Sequence, residues 1–240
     1  MRYVLVILLL LPTLAACTPA DLKVFNDVLQ TAGADSTGLS DSDITAGLKE
    51  ALATGTERSI SRIGRLDGFW QNAALRIPLP DTLEKAEKIL RTLGQGRTVD
   101  EFQLSLNRAA EQAVPEAASI FGAAIREMSL ADARGILSGP DNAATTYFQQ
   151  KTTAALTARF KPVVTRATES VGATHRYKDV IGKAGRLVSG LDASSLDLDA
   201  YVTDRALSGL FTTLADEERK IRENPAARTS ELLKKVFGNR

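Results

Sequence analysis

Between Thr98 and Leu137 apolar residues recur every three or four positions, a spacing that gathers them on one face of an α-helix. Val99, Phe102, Leu106, Ala110, Ala113, Ala117, Ile120 and Ala124 share that face, and Val114, Ala118, Phe121 and Ile125 widen it. Only a narrow stripe, with Arg108, Gln112, Glu116, Ser119 and Arg126, is polar. A helix apolar over more than half its circumference packs on two sides, so this stretch is expected at the middle of a bundle. Thr98 and Glu101 have capping-box spacing and mark its start. Pro115 lacks an N–H and crowds the carbonyl of Glu111, which predicts a kink or restart. Asn107, Arg108 and Glu111 lie just before it. Buried polar groups need partners, so these three are expected to form a network that either seals the kink or marks a pocket.

The same reading organises the flanks. Ser40 with Asp43 predicts a helix start, carried on by Ile44, Leu48, Ala51 and Leu52 to Ile60 and Ile63, with a possible break at Gly55. Residues 67–80 are different: Asp67-Gly68-Phe69-Trp70 opens a stretch ending in Arg76-Ile77-Pro78-Leu79-Pro80, whose two prolines favour extended backbone. Asp81 and Glu84 are expected to cap a helix through Leu83, Ala86, Leu90 and Leu93, closed by Gly94 and Gly96. Ser129 and Asp132 box a short helix, and Asp141 is expected to cap a long one through Phe148 and Phe160, with Pro162 as a second kink and Gly172 as its stop. Further helices are expected around residues 177–188, from Asp197 or Asp199 to Ile221, and over Leu232, Leu233, Val236 and Phe237. No segment alternates as a strand does. The expectation is an all-α fold, a single bundle of about eight to ten helices, several kinked or restarted at proline.

The N-terminus changes the setting. Arg2, the apolar run 3–11 and Leu14-Ala15-Ala16-Cys17 are laid out as a signal peptide, too short for the ~20 apolar residues of a spanning helix. The only cysteine follows Leu-Ala-Ala, which resembles a bacterial lipobox. That resemblance implies cleavage before Cys17, a diacylglycerol thioether on its sulfur and an acylated amine, together a stable anchor. Ordinary cleavage beside an incidental cysteine is the alternative. Thr18 stands where inner-membrane retention would place Asp, so the periplasmic face of the outer membrane is expected. Residues 1–16 are read as leader, 17–39 as lipidated tether and 40–238 as the helical domain. Losing 16 of 240 residues leaves 224 and takes the net charge from +1 to 0, since Arg2 is the only charge lost. This charge balance argues against a nucleic-acid partner, which would want a basic face, and none is expected. With Cys17 acylated no thiol remains for zinc, disulfides or catalysis.

From Ser40 onward several strings together carry a family resemblance: ITAGLKEAL at 44–52, DGF at 67–69, RIPLP at 76–80, NRAAEQAVPEA at 107–117, DNAATTYF at 141–148, LDAYVTDRALSGLF at 198–211 and IRENPAARTSELLKKVFG at 221–238. The chain resembles domain-of-unknown-function family 4197. The resemblance implies a bacterial exported protein with a helical domain, and carries no catalytic residue with it.

Candidate chemistry is sparse. His175, the one histidine, lies beside a glycine-containing turn with no evident partner. Asp41/Asp43 and Asp197/Asp199 resemble the start of a calcium loop but lack its glycine and terminal glutamate, so they read as helix caps. No metal, cofactor or catalytic residue is assigned. Phe69, Trp70 and Arg76 form the candidate partner contact, with a core plug pinning the loop as the alternative. Arg58, Arg62 and Arg65 make a basic ridge, read as a solvated helix face with contact to anionic lipid as the alternative. The function expected is a non-catalytic helical binding or scaffolding module, anchored to lipid through Cys17 and engaging an envelope protein or a small apolar ligand. The alternative is a periplasmic enzyme using carboxylates near the Pro115 kink, Glu111 with Asp132.

Overall fold

The computed structural model describes residues 40–170, 172, 175, 176, 179, 180, 182 and 197–223. The chain divides between Leu39 and Ser40, and everything below belongs to the unit that begins at Ser40. Cys17, the tether and the expected helix at 232–237 lie outside the described residues, as does most of the one expected at 177–188.

The fold is all-α, and no strand occurs among the described residues. Among the described residues seven α-helices carry it, fewer than the eight to ten expected over the whole chain: α1 (Asp41–Ile63), α2 (Glu84–Thr92), α3 (Gly96–Ala113), α4 (Ala117–Glu127), α5 (Leu130–Ser138), α6 (Ala143–Ser170) and α7 (Leu198–Glu223). Helix α3 packs against both α6 and α7, while α1 lies against α4, α5 and α7. Val99, Phe102, Leu106, Ala110 and Ala113 have no exposed surface, as their spacing predicts. Phe121 meets Phe148 at 4.9 Å and Phe211 at 6.4 Å between ring centroids, tying α4, α6 and α7 together.

Pro115 acts as expected. A 3-10 turn, Val114–Glu116, separates α3 from α4. Because that turn advances faster than an α-helix, the face shifts: Phe121 and Ile125 stay buried, but Ala118 is exposed rather than on the apolar flank. Pro162 does less than expected, lying inside a continuous α6. Nor does Gly55 break α1.

The caps divide in the same way. Ser40–Asp43 and Ser129–Asp132 form reciprocal boxes. Thr98–Glu101 does not, because α3 already starts at Gly96. The preceding turn is closed by backbone: Gln95 N–H donates to the Leu90 carbonyl at 2.8 Å, and Gly94 takes φ 75°. Asp81–Leu83 is a 3-10 turn leading into α2, with no side-chain cap. Asp197 is the cap of α7, accepting from Ala200 N–H at 2.9 Å.

Candidate functional site

Between Ile63 and Asp81 the chain has no α-helix. Its backbone N–H and C=O groups still need partners, and α3 supplies several of them. Asn107 is completely buried and reaches Ile77. Its Oδ1 accepts from Ile77 N–H at 2.8 Å, and its Nδ2 donates to the Ile77 carbonyl at 3.1 Å. The side-chain amide thus pairs with one residue's backbone as a neighbouring strand would. Gln103 Nε2 adds a second donor to that carbonyl at 3.1 Å.

One turn on, Glu111 is buried at 3% exposure. Oε1 accepts from the N–H groups of Phe69 at 3.0 Å and Trp70 at 3.2 Å, and Oε2 accepts from Arg108 Nη1 at 2.6 Å. Arg108 Nη2 donates to Asp67 Oδ1 at 2.6 Å. Burial alone pulls the Arg108 guanidinium down, but bonding to Glu111 and Asp67 more than reverses this and holds it above its ordinary value. Asp67 sits at φ 66°, a conformation rare outside glycine. Arg108 and Gln71 Nε2, at 2.8 Å, both hold its carboxylate there. A side chain on Gly68 would run into the Ile63 backbone, so the chain turns back over the end of α1 only with glycine at this position.

Of the three residues expected to form one network, Arg108 and Glu111 bond each other, while Asn107 bonds Ile77 and the Gln103 carbonyl. Asn107 and Glu111 bind the loop backbone and Arg108 binds the Asp67 carboxylate, and of the three only Arg108 retains moderate exposure, 22% of its side chain. Asp132 is elsewhere: its carboxylate accepts from Ser129 N–H at 3.0 Å and Ser129 Oγ at 2.7 Å, which hold it below the usual carboxylate range. It lines a cleft of about 420 Å³ with Glu127, Tyr147 and Lys151. Glu111 and Asp132 belong to separate networks, so the carboxylate pair needed for acid–base work is not assembled. His175 is exposed. Among the described residues no group of three or more His, Cys, Asp or Glu side chains is placed to hold a metal ion.

The loop residues separate by depth. Phe69, expected with its neighbours at a partner contact, is fully buried, with its ring against α7. A Cβ at Gly209 would lie 2.6 Å from Phe69 Cε1, so that glycine is what admits the ring. Phe69 is the core plug, because its apolar body finds a complete cavity. Trp70 is half-buried and Arg76 exposed. Arg76 Nε donates to the Trp70 carbonyl at 2.5 Å, and its guanidinium lies 4.5 Å from the indole centroid. Tyr201 of α7 donates its hydroxyl to the Pro78 carbonyl at 2.9 Å and fastens the far end of the loop. On the basic ridge, Arg62 is 3.7 Å from Glu217, and Arg65 is exposed.

Sequence reasoning missed a second buried carboxylate. Glu218 of α7 accepts from the N–H groups of Ala144 and Thr145, each at 2.9 Å, and from Thr145 Oγ1 at 2.8 Å. It caps α6 in place of the expected Asp141, which is exposed, and its charge suits the positive end of that helix. Arg222 bonds Glu218 at 2.8 Å and the Ile136 carbonyl at 2.9 Å. The spacing held the signal, since Leu214, Glu218 and Ile221 share one face.

A family model described as Protein of unknown function (DUF4197) matches residues 38–238. No curated protein matches the chain, and no solved structure does.

Proposed function

Because the chain belongs to the DUF4197 family of proteins of unknown function, we propose from its own residues that it is a lipid-anchored module of the bacterial envelope, binding or scaffolding rather than catalysing. One observation carries the binding half of this reading: the buried polar groups Asn107 and Glu111 are committed to loop backbone, so that a half-buried Trp70 and an exposed Arg76 stand on a fixed support. A rigid aromatic presented this way loses little freedom on binding. Among the described residues an apolar cleft lined by Leu48, Leu52, Ile136, Leu214 and Ile221 holds about 20 Å³, room for roughly one water. A partner is therefore better placed on the surface.

The anchoring half rests on Arg2, the apolar run 3–11 and Leu14-Ala15-Ala16-Cys17. In this reading the membrane is reached through acylated Cys17, with Thr18 favouring the periplasmic face of the outer membrane; no helix among the described residues is long and apolar enough to cross a membrane. Labelled palmitate should enter the wild-type protein and not Cys17→Ser, and the variant should leave the detergent phase. Unchanged labelling and partitioning in Cys17→Ser would remove the anchor. Against the catalytic alternative, the purified Cys17→Ser protein should turn over nothing in a broad hydrolase panel. Turnover that Glu111→Gln abolishes, in a protein still folded, would establish the enzyme instead.

A further inference from the structure

Beside Trp70 lies an open groove of about 610 Å³, walled by the indole, Leu104 and the turn joining α2 to α3. Its polar lining consists of Arg91, Arg97, Asp100 and Glu101, two cations and two carboxylates. They are already matched: Arg91 Nη2 donates to Asp100 at 2.8 Å and its Nε to Glu87 at 2.9 Å, while Arg97 Nε donates to Glu101 at 2.8 Å, with Arg176 4.0 Å from the same carboxylate. The side chains remain wet, from 40% exposed for Arg91 to 91% for Arg97. A guanidinium has five N–H donors and a carboxylate about four acceptor positions, so each pair keeps hydrogen-bonding capacity for a ligand. Gly94 and Gly96 line the groove at the turn, and a Cβ at Gly94 would meet nothing within 4 Å, so the ligand can approach the backbone closely there.

The four charges that line the groove cancel and are paired with one another, so the lining does not select a phosphate, a basic peptide or an acidic one. It suits a neutral molecule with an apolar face and a rim of hydroxyls. An indole beside planar guanidinium and carboxylate groups matches a sugar ring, whose C–H face lies on the aromatic while vicinal hydroxyls meet the planar groups. Arg76 stacks over the indole and Glu111 accepts from the Trp70 backbone N–H, so the platform is fixed before a ligand arrives. We propose that the Trp70 groove is a binding site for a neutral saccharide, with a pyranose ring on the indole and its hydroxyls bonded by Arg91, Arg97, Asp100 and Glu101. The proposal rests on the reading of the domain as a binding module and supplies its ligand class.

Trp70 is the only tryptophan, so its emission reports on this groove alone. Full-length Cys17→Ser protein is titrated with a soluble β-1,4-linked tetramer of N-acetylglucosamine, and co-sedimented with insoluble cell-wall glycan. A saturable blue shift of Trp70 emission is expected. Asp100→Asn, at a wet position that should not disturb folding, should weaken binding about tenfold by calorimetry, the loss of one charge-assisted hydrogen bond. Trp70→Ala should abolish it. Binding in both arms, or in the sedimentation arm alone, supports the site and separates a free sugar from an envelope glycan. No saturable response in either arm, or equal affinity in Asp100→Asn and Trp70→Ala, overturns the saccharide. If the saccharides fail while an envelope protein binds wild type and not Trp70→Ala, the saccharide falls and the binding module stands. If that also fails, both fall.

Discussion

Glu111 receives three hydrogen bonds on two oxygens, and each partner needs the negative charge or the acceptor to stay buried. Glu111→Gln keeps one acceptor oxygen but turns an amide NH2 towards Arg108 or towards the loop. A destabilisation of about 3–5 kcal/mol is expected, the range for removing one partner of a buried ion pair. A lower denaturant midpoint at unchanged slope would register it. Phe69 and Gly209 make a second pair. Gly209→Ala places a methyl against the Phe69 ring and should cost about 1–3 kcal/mol. Adding Phe69→Leu, which is destabilising alone, should cost less in the Gly209→Ala background, and strict additivity in a double-mutant cycle would deny the contact. The helical spacing of Asn107, Arg108 and Glu111 with Pro115 located this cluster in the sequence. Its partners were hidden there, because backbone N–H groups of a distant loop leave no mark on any side-chain pattern.

Helix ends show the same divide. Ser40–Asp43 and Ser129–Asp132 are local in sequence, and both form as read. The end of α2 turns at Gly94, the glycine its sequence marked, whereas the start of α6 is capped by Glu218, more than seventy residues away. Local chemistry was legible and remote chemistry was not. Ser129→Ala should destabilise by about 1 kcal/mol, as loss of a good N-cap does. The Asp132 partner adds a pH dependence. Its folded value lies below the ordinary one, so its contribution is present above the usual carboxylate range and fades as pH falls through the depressed value. The stability gap between wild type and Asp132→Asn should therefore shrink on acidification. A gap that widens would contradict the sign. At the start of α6, Glu218→Gln should raise hydrogen exchange at Ala144 and Thr145 before it affects α3.

Across the whole molecule, α3 is the element around which the rest is arranged. One side of it fills the bundle with Val99, Phe102 and Leu106, and the polar side chains at its C-terminal half hold the only long connection that lacks an α-helix among the described residues. The prolines at 78 and 80 marked that connection in the sequence, and the all-α class followed from helical periodicity. What it was for did not follow, since Phe69 and Trp70 are neighbours in sequence with opposite fates, one inside and one at the surface. Amide hydrogen exchange at Phe69 and Trp70 tests the clamp most directly. A clamp predicts that both amides are protected in wild type and lose about tenfold or more of that protection in Glu111→Gln, while the amides of α6 and α7 keep theirs. Equal protection of the two amides in wild type and variant would contradict it.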